Sequence, residues 1–211
     1  MPQLARFLAE KLSALKTNLL KVAEISVIEL AAVALAILYL ILAAARNIFC
    51  WLAAGISSIL YIKICYDSRL FIETGLQFFY FMMAIVGYFH WKKNNLQNDD
   101  DISLLTVRGF IVGTLICGIL SLMMAYYFDR YTTAALPWLD APITVFSIWA
   151  TWLVIKKKLE NWLFWVLIDA LAIYLYYKRN LHLTALLYAM YTILAVVGYY
   201  KWRSVYNTYK K

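Results

Sequence analysis

Charge is scarce in this chain. Of its 211 residues only 15% are Asp, Glu, Lys or Arg, while 64% are apolar and the mean hydropathy is +0.69. A water-soluble domain of this length needs far more polar surface, so the composition places the chain among membrane proteins. Cysteine is equally sparse. Cys50, Cys65 and Cys117 lie within or at the ends of apolar runs, without CxxC or CxxH spacing, and read as small buried hydrophobes rather than metal or redox groups. There is no GxxxxGK[ST], so the chain alone does not run on ATP. HExxH, a GxSxG elbow and paired intramembrane aspartates are also missing, which argues against an enzyme. The alternating ten-residue pattern of a membrane barrel is absent too. The net charge of +8 is spread in short clusters between apolar runs, which is topology signalling rather than a nucleic-acid surface. No nucleic acid, metal or cofactor is expected.

What the chain has in quantity is apolar runs of membrane length. About 20 such residues cross a hydrocarbon core of about 30 Å. Seven candidates occur, at 25–45, 47–65, 71–90, 104–127, 136–155, 162–178 and 183–201, and all read as helices because each must satisfy its own backbone hydrogen bonds. Ahead of them, Leu4, Phe7, Leu8, Leu12, Leu15, Leu19 and Val22 share one helical face, with Arg6, Lys16, Lys21 and Glu24 away from it. Residues 1–24 are therefore expected to form an amphipathic interfacial helix, not a cleaved signal peptide.

The chain also contains itself twice. A shift of 111 positions lays residues 51–91 on 162–202 without a gap, pairing Trp51 with Trp162, Tyr66 with Tyr177, Tyr80 with Tyr191, Gly87 with Gly198, Tyr88 with Tyr199 and Trp91 with Trp202. The same offset pairs Glu29 with Asp140. These two acids are either helix N-terminal residues favoured by the macrodipole or members of a pairing or gating set. Each unit holds three spans with the fourth between them, so parity makes the units parallel, related by an axis along the membrane normal. The expected organisation is a first unit over 25–91, a loop and linker helix over 92–128, a second unit over 129–202 and a polar tail over 203–211. A 3+1+3 bundle of parallel repeats is the arrangement of SWEET-type transporters, an analogy of fold only. Setting aside the amphipathic segment, eleven basic residues fall on the C-terminal side of the membrane and five on the other, which predicts a cytoplasmic C-terminus.

Polar and aromatic residues then mark a path. Gln77, Tyr80, Ala84, Tyr88 and Trp91 follow helical steps of three and four along the third span, as Tyr188, Tyr191, Ala195, Tyr199 and Trp202 do along the seventh. The four aromatic residues near the span ends, Tyr88, Trp91, Tyr199 and Trp202, belong either to interfacial belts or to the path. Gln77 is a mid-span amide that needs a partner. Asp169 lies within the sixth span, one turn after Trp165, and its counterpart in the first unit is Ser58. An intramembrane carboxylate by default marks a path or cavity.

The segments ISSILYIKICYDSRL, ETGLQFFYFMMAIVGYFHW, LPWLDAPITVFSIWATWL and ENWLFWVLIDALAIYLYYKRNLHLTALLYAMYTILAVVGYYKW resemble the PnuC family of bacterial vitamin transporters, from about Glu29 to Trp202. The resemblance implies a multi-pass protein of the bacterial inner membrane that carries nicotinamide riboside by facilitated diffusion, with a cytoplasmic kinase trapping the product. Thiamine and nucleosides are the alternative cargoes. It also implies a homo-oligomer, a trimer among the options. The implied substrate-binding residues are Ser58, Gln77, Tyr80, Tyr88, Trp91, Trp162, Trp165, Asp169, Tyr188 and Tyr191. Two positions depart from many nicotinamide riboside carriers: Tyr88 stands where they have the first Trp of a Trp-x-x-Trp, and Ser58 where they often have Asn. A site of Tyr and Trp with few charges suits a flat cation, whose attraction to an aromatic face is worth about 0.5–2 kcal/mol. A phosphate would demand a cluster of Arg or Lys.

Overall fold

The computed structural model describes residues 27–67, 71–96, 102–132, 136–178 and 182–209; the amphipathic segment expected over 1–24 lies outside them. Among the described residues seven helices follow in order: α1 Val27–Ala44, α2 Cys50–Asp67, α3 Phe71–Leu96, α4 Val107–Tyr131, α5 Pro137–Ile155, α6 Asn161–Lys178 and α7 His182–Tyr209. Each matches one apolar run of the sequence. By length and composition α1, α4 and α5 are apolar enough to cross a membrane. α3 and α7 overrun the expected spans: 26 and 28 residues give about 39 and 42 Å of helix, longer than a hydrocarbon core of about 30 Å. α7 thus takes in residues 203–209 of the segment expected to be a polar tail.

Packing follows the repeat. α2 lies along α3 and α6 along α7, while α5 packs on α6 and touches α3. α1 joins through the buried Ser57 hydroxyl, which donates to the Ala32 carbonyl at 2.9 Å. The α1–α2 and α5–α6 corners have the same backbone. In the first, Arg46 N–H donates to Ala43 O and Asn47 N–H to Leu42 O; 111 residues later Lys157 N–H donates to Val154 O and Lys158 N–H to Leu153 O. Arg46 and Lys157 both take the left-handed conformation, with φ of 57° and 50°. That is the Schellman ending of a helix, here without the usual glycine.

α4 is the outlier. It packs along α5, with Gly113, Cys117, Ser121 and Ala125 buried at intervals of four. Gly113 is needed because a Cβ there would stand 2.5 Å from the Trp149 ring. The remaining faces present Leu115, Ile119, Leu122 and Met123, each more than half exposed, as a helix in contact with lipid requires. Ahead of α4, residues 102–105 run beside the α5–α6 corner: Ser103 N–H donates to Lys157 O, Leu159 N–H to Ser103 O, and Leu105 N–H to the Glu160 carboxylate at 2.8 Å.

Candidate functional site

Four tryptophans close one end of the bundle. Trp91 and Trp202 are fully buried, their rings 6.4 Å apart, and Trp51 and Trp162 stand edge-on to them at 5.4 Å each. The repeat explains why these residue types recur together. Gly87 and Gly198 let the indoles of Trp51 and Trp162 lie against α3 and α7; an added Cβ would stand 2.5 and 2.7 Å from those rings. α3 also donates to the end of α5, and α7 to the end of α1. The Trp91 indole N–H reaches Ile155 O at 3.0 Å, and the Trp202 indole N–H reaches Ala43 O at 3.1 Å. Lys157, buried, holds its ammonium 5.0 Å over the Trp91 ring, a cation–π contact.

Below this lid sits the polar interior. α6 carries Asp169, only 3% exposed, to the middle of the bundle. Tyr80, Tyr188 and Tyr191 all lie within its electrostatic reach, and Tyr80 is within hydrogen-bond reach of Ser147 on α5. Tyr188 stacks nearly parallel on Tyr176, ring centroids 5.1 Å apart, and meets Tyr191 edge-on at 5.6 Å. Among the described buried residues Asp169 is the one acid and Lys157, at the tryptophan end, the one base. The Trp165 indole N–H, one turn before Asp169, is buried without a partner. Such an arrangement offers a carboxylate and a ring of hydroxylated aromatic faces. It supplies recognition rather than a nucleophile with its base.

The structure therefore brings Tyr80, Asp169, Tyr188 and Tyr191 together, with Trp165 beside them. Ser58 is buried on α2 and Gln77 is half-buried on α3, one turn before Tyr80. Trp91 and Trp162 belong to the tryptophan end. Tyr88 lies apart from the Asp169 group, with Leu52, Ile56 and Phe89 in an apolar groove of about 260 Å³ between α2 and α3 whose walls are largely exposed. Lys92 stands 5.9 Å over its ring. Ser147 and Tyr176 join the site although sequence reasoning passed over them. Their counterparts at the repeat offset are Ala36 and Cys65, so the repeat drew no attention to either.

Seven helices around a buried carboxylate and tyrosines, with apolar faces outside, describe a multi-pass membrane transporter of a small molecule. Comparison with known proteins agrees. Residues 26–204 match the family described as nicotinamide mononucleotide transporter, and the chain belongs to that family. It is 23% identical over 205 residues to the nicotinamide riboside transporter PnuC of Escherichia coli K12, covering 85% of this chain and 86% of that one. It is 22% identical to the riboflavin/roseoflavin transporter RibM of Streptomyces davaonensis, covering 80% of each. A solved structure of the vitamin B3 transporter PnuC superposes with a TM-score of 0.70 at 25% identity, over 87% of this chain and 83% of that one.

Proposed function

We propose that the protein carries nicotinamide riboside, a flat cationic nucleoside, across the bacterial inner membrane by facilitated diffusion. The observation that carries this reading is Asp169, buried among Tyr80, Tyr188 and Tyr191, while among the described residues the one buried base, Lys157, sits at the tryptophan end. A pyridinium between aromatic faces satisfies a buried carboxylate, which is costly without a cation. A nucleotide does not fit so well. Its phosphate would lie near Asp169 without the Arg or Lys that such a group requires. Ser58, Gln77, Ser147 and the orphaned Trp165 N–H are the donors and acceptors available to the ribose and carboxamide.

The scheme has two three-helix units, α1–α3 and α5–α7, parallel and joined by α4. The matched corners and the reciprocal Trp91 and Trp202 bonds support it. Lys92, Lys93, Lys156, Lys157 and Arg203 gather at the tryptophan end, which is then cytoplasmic. There a kinase traps the product, and the transporter works as a homo-oligomer. Riboflavin is the second reading, favoured by the likeness to RibM; thiamine is the third. Uptake into liposomes without ATP or ion gradients, measured with labelled nicotinamide riboside, nicotinamide mononucleotide, thiamine and riboflavin, separates them. Nicotinamide riboside is expected to enter fastest and the mononucleotide not at all. Entry of riboflavin alone overturns the cargo.

A further inference from the structure

The groove between α2 and α3 takes no part in the site around Asp169. Gly55 forms its floor, and its walls include Ile59 of α2 and Phe81, Ile85 and Tyr88 of α3. From Trp51 to Ile59 it follows α2 for eight residues, about 12 Å of helix, starting at the tryptophan end. Ile59 and Phe89 are 49% and 62% exposed, so the groove opens outward from the bundle, toward lipid.

The repeat does not preserve the residues that open it. Close packing demands glycine at 87 and 198, but not at 55. A Cβ on Gly55 would meet Ala84 at 3.7 Å and Phe81 at 3.9 Å, which is ordinary contact. At the matching position of the second unit stands Val166, packed against the tryptophan cluster, and Thr192 takes the place of the Phe81 wall. The glycine therefore leaves space rather than relieving a clash.

One end of this apolar trough carries charge. Lys92 is exposed and lies one turn beyond Tyr88, with its ammonium 5.9 Å over the ring that lines the groove. α3 is longer than the hydrocarbon core is thick, and Lys92 and Lys93 lie near its C-terminal end, at the level of lipid headgroups. An apolar channel parallel to the helices, ending at an ammonium, is complementary to an amphiphile with a negative head.

We propose that the α2–α3 groove binds an anionic phospholipid, with one acyl chain on the Gly55 floor and the headgroup phosphate at Lys92. The site rests on the membrane-spanning fold and not on the identity of the cargo. Trp51 lines the groove and stands edge-on to Trp91, so the bound chain packs on the outer wall of the tryptophan end.

Photo-crosslinking tests this directly. The protein is reconstituted in vesicles of phosphatidylglycerol and phosphatidylcholine with identical acyl chains, one or the other carrying a mid-chain diazirine. After irradiation the labelled peptides are mapped by mass spectrometry. Phosphatidylglycerol is expected to label the groove residues of α2 and α3 about 5-fold more than phosphatidylcholine, the worth of one lysine near an anionic head. Lys92→Gln is expected to abolish that preference. Gly55→Val, which installs the residue of the second unit, is expected to lower labelling by both lipids. If that variant does not insert, the wild type and Lys92→Gln carry the test alone. Equal labelling of the groove by the two lipids in wild type overturns the site, because it reports the ordinary lipid annulus. A matching preference at the α6–α7 face, or its loss from the groove in Arg203→Gln, reports a general basic surface and overturns it as well. Absence of label from α2 and α3, as when a second copy of the chain covers the groove, also overturns it.

Discussion

The α1–α2 and α5–α6 corners share one backbone and differ in the side chains outside it. Both end a helix in a left-handed basic residue, Arg46 and Lys157, and both receive an indole N–H from the opposite unit. Yet Lys157 is buried over the Trp91 ring, and the residue matching the exposed Phe49 is Glu160, which accepts from Leu105. A repeat of this kind preserves the geometry that joins the units and leaves the outer surface free to diverge. In this chain the divergence brings residues 102–105 against the second corner.

Substitutions test how far the likeness extends. Large losses are expected where it is tightest. Gly87→Ala and Gly198→Ala each push a methyl to 2.5 or 2.7 Å from an indole and are expected to cost about 1–3 kcal/mol each by overpacking, seen as lowered melting temperatures in detergent. Gly75→Ala, with nothing within 4 Å of the new carbon, is expected to stabilise by about 0.5–1 kcal/mol. Unequal losses at 87 and 198 would break the equivalence of the two units. Glu160→Ala removes a charged acceptor from Leu105 N–H and is expected to cost about 1.5–3 kcal/mol, against little for its counterpart Phe49→Ala. Lys157→Gly relieves the left-handed strain but loses the buried contact with Trp91, for a net cost of about 1 kcal/mol; Arg46→Gly is expected to be milder. The smallest effect belongs to Lys63→Ala at the far end of α2, where the pair with Asp67 is 60% and 51% exposed and worth below about 0.5 kcal/mol.

The helices were legible because apolar runs of membrane length admit little else, and the 111-residue offset already paired the residues that form the tryptophan end. What the offset could not reveal was their role. Gly-Tyr-x-x-Trp reads as a belt or a path in one dimension. Only the packing shows that Gly87 receives Trp51 and that Trp91 spends its N–H on the other unit. Asp169 stood out because a carboxylate within an apolar run is expensive. Ser147 did not, since a serine hydroxyl in a helix can bond its own backbone, as Thr151 does to Ser147 O, and so carries no signal of a site; Tyr176 did not, since it is one of 17 tyrosines and has a cysteine at the repeat offset. Helix ends were the least legible, because α3 and α7 continue past the hydrocarbon, where lysine and arginine are about as helical as leucine.

The most direct test compares a charged and an uncharged cargo of one shape. Binding of nicotinamide riboside and of its neutral dihydro form is measured by calorimetry on wild type and on Asp169→Asn. Wild type is expected to prefer the cation by about tenfold or more, roughly 1.4 kcal/mol, and the variant to bind the two forms alike. If Asp169→Asn keeps the full preference for the cation, the buried carboxylate does not read the charge of the cargo, and the assignment of this compartment is wrong.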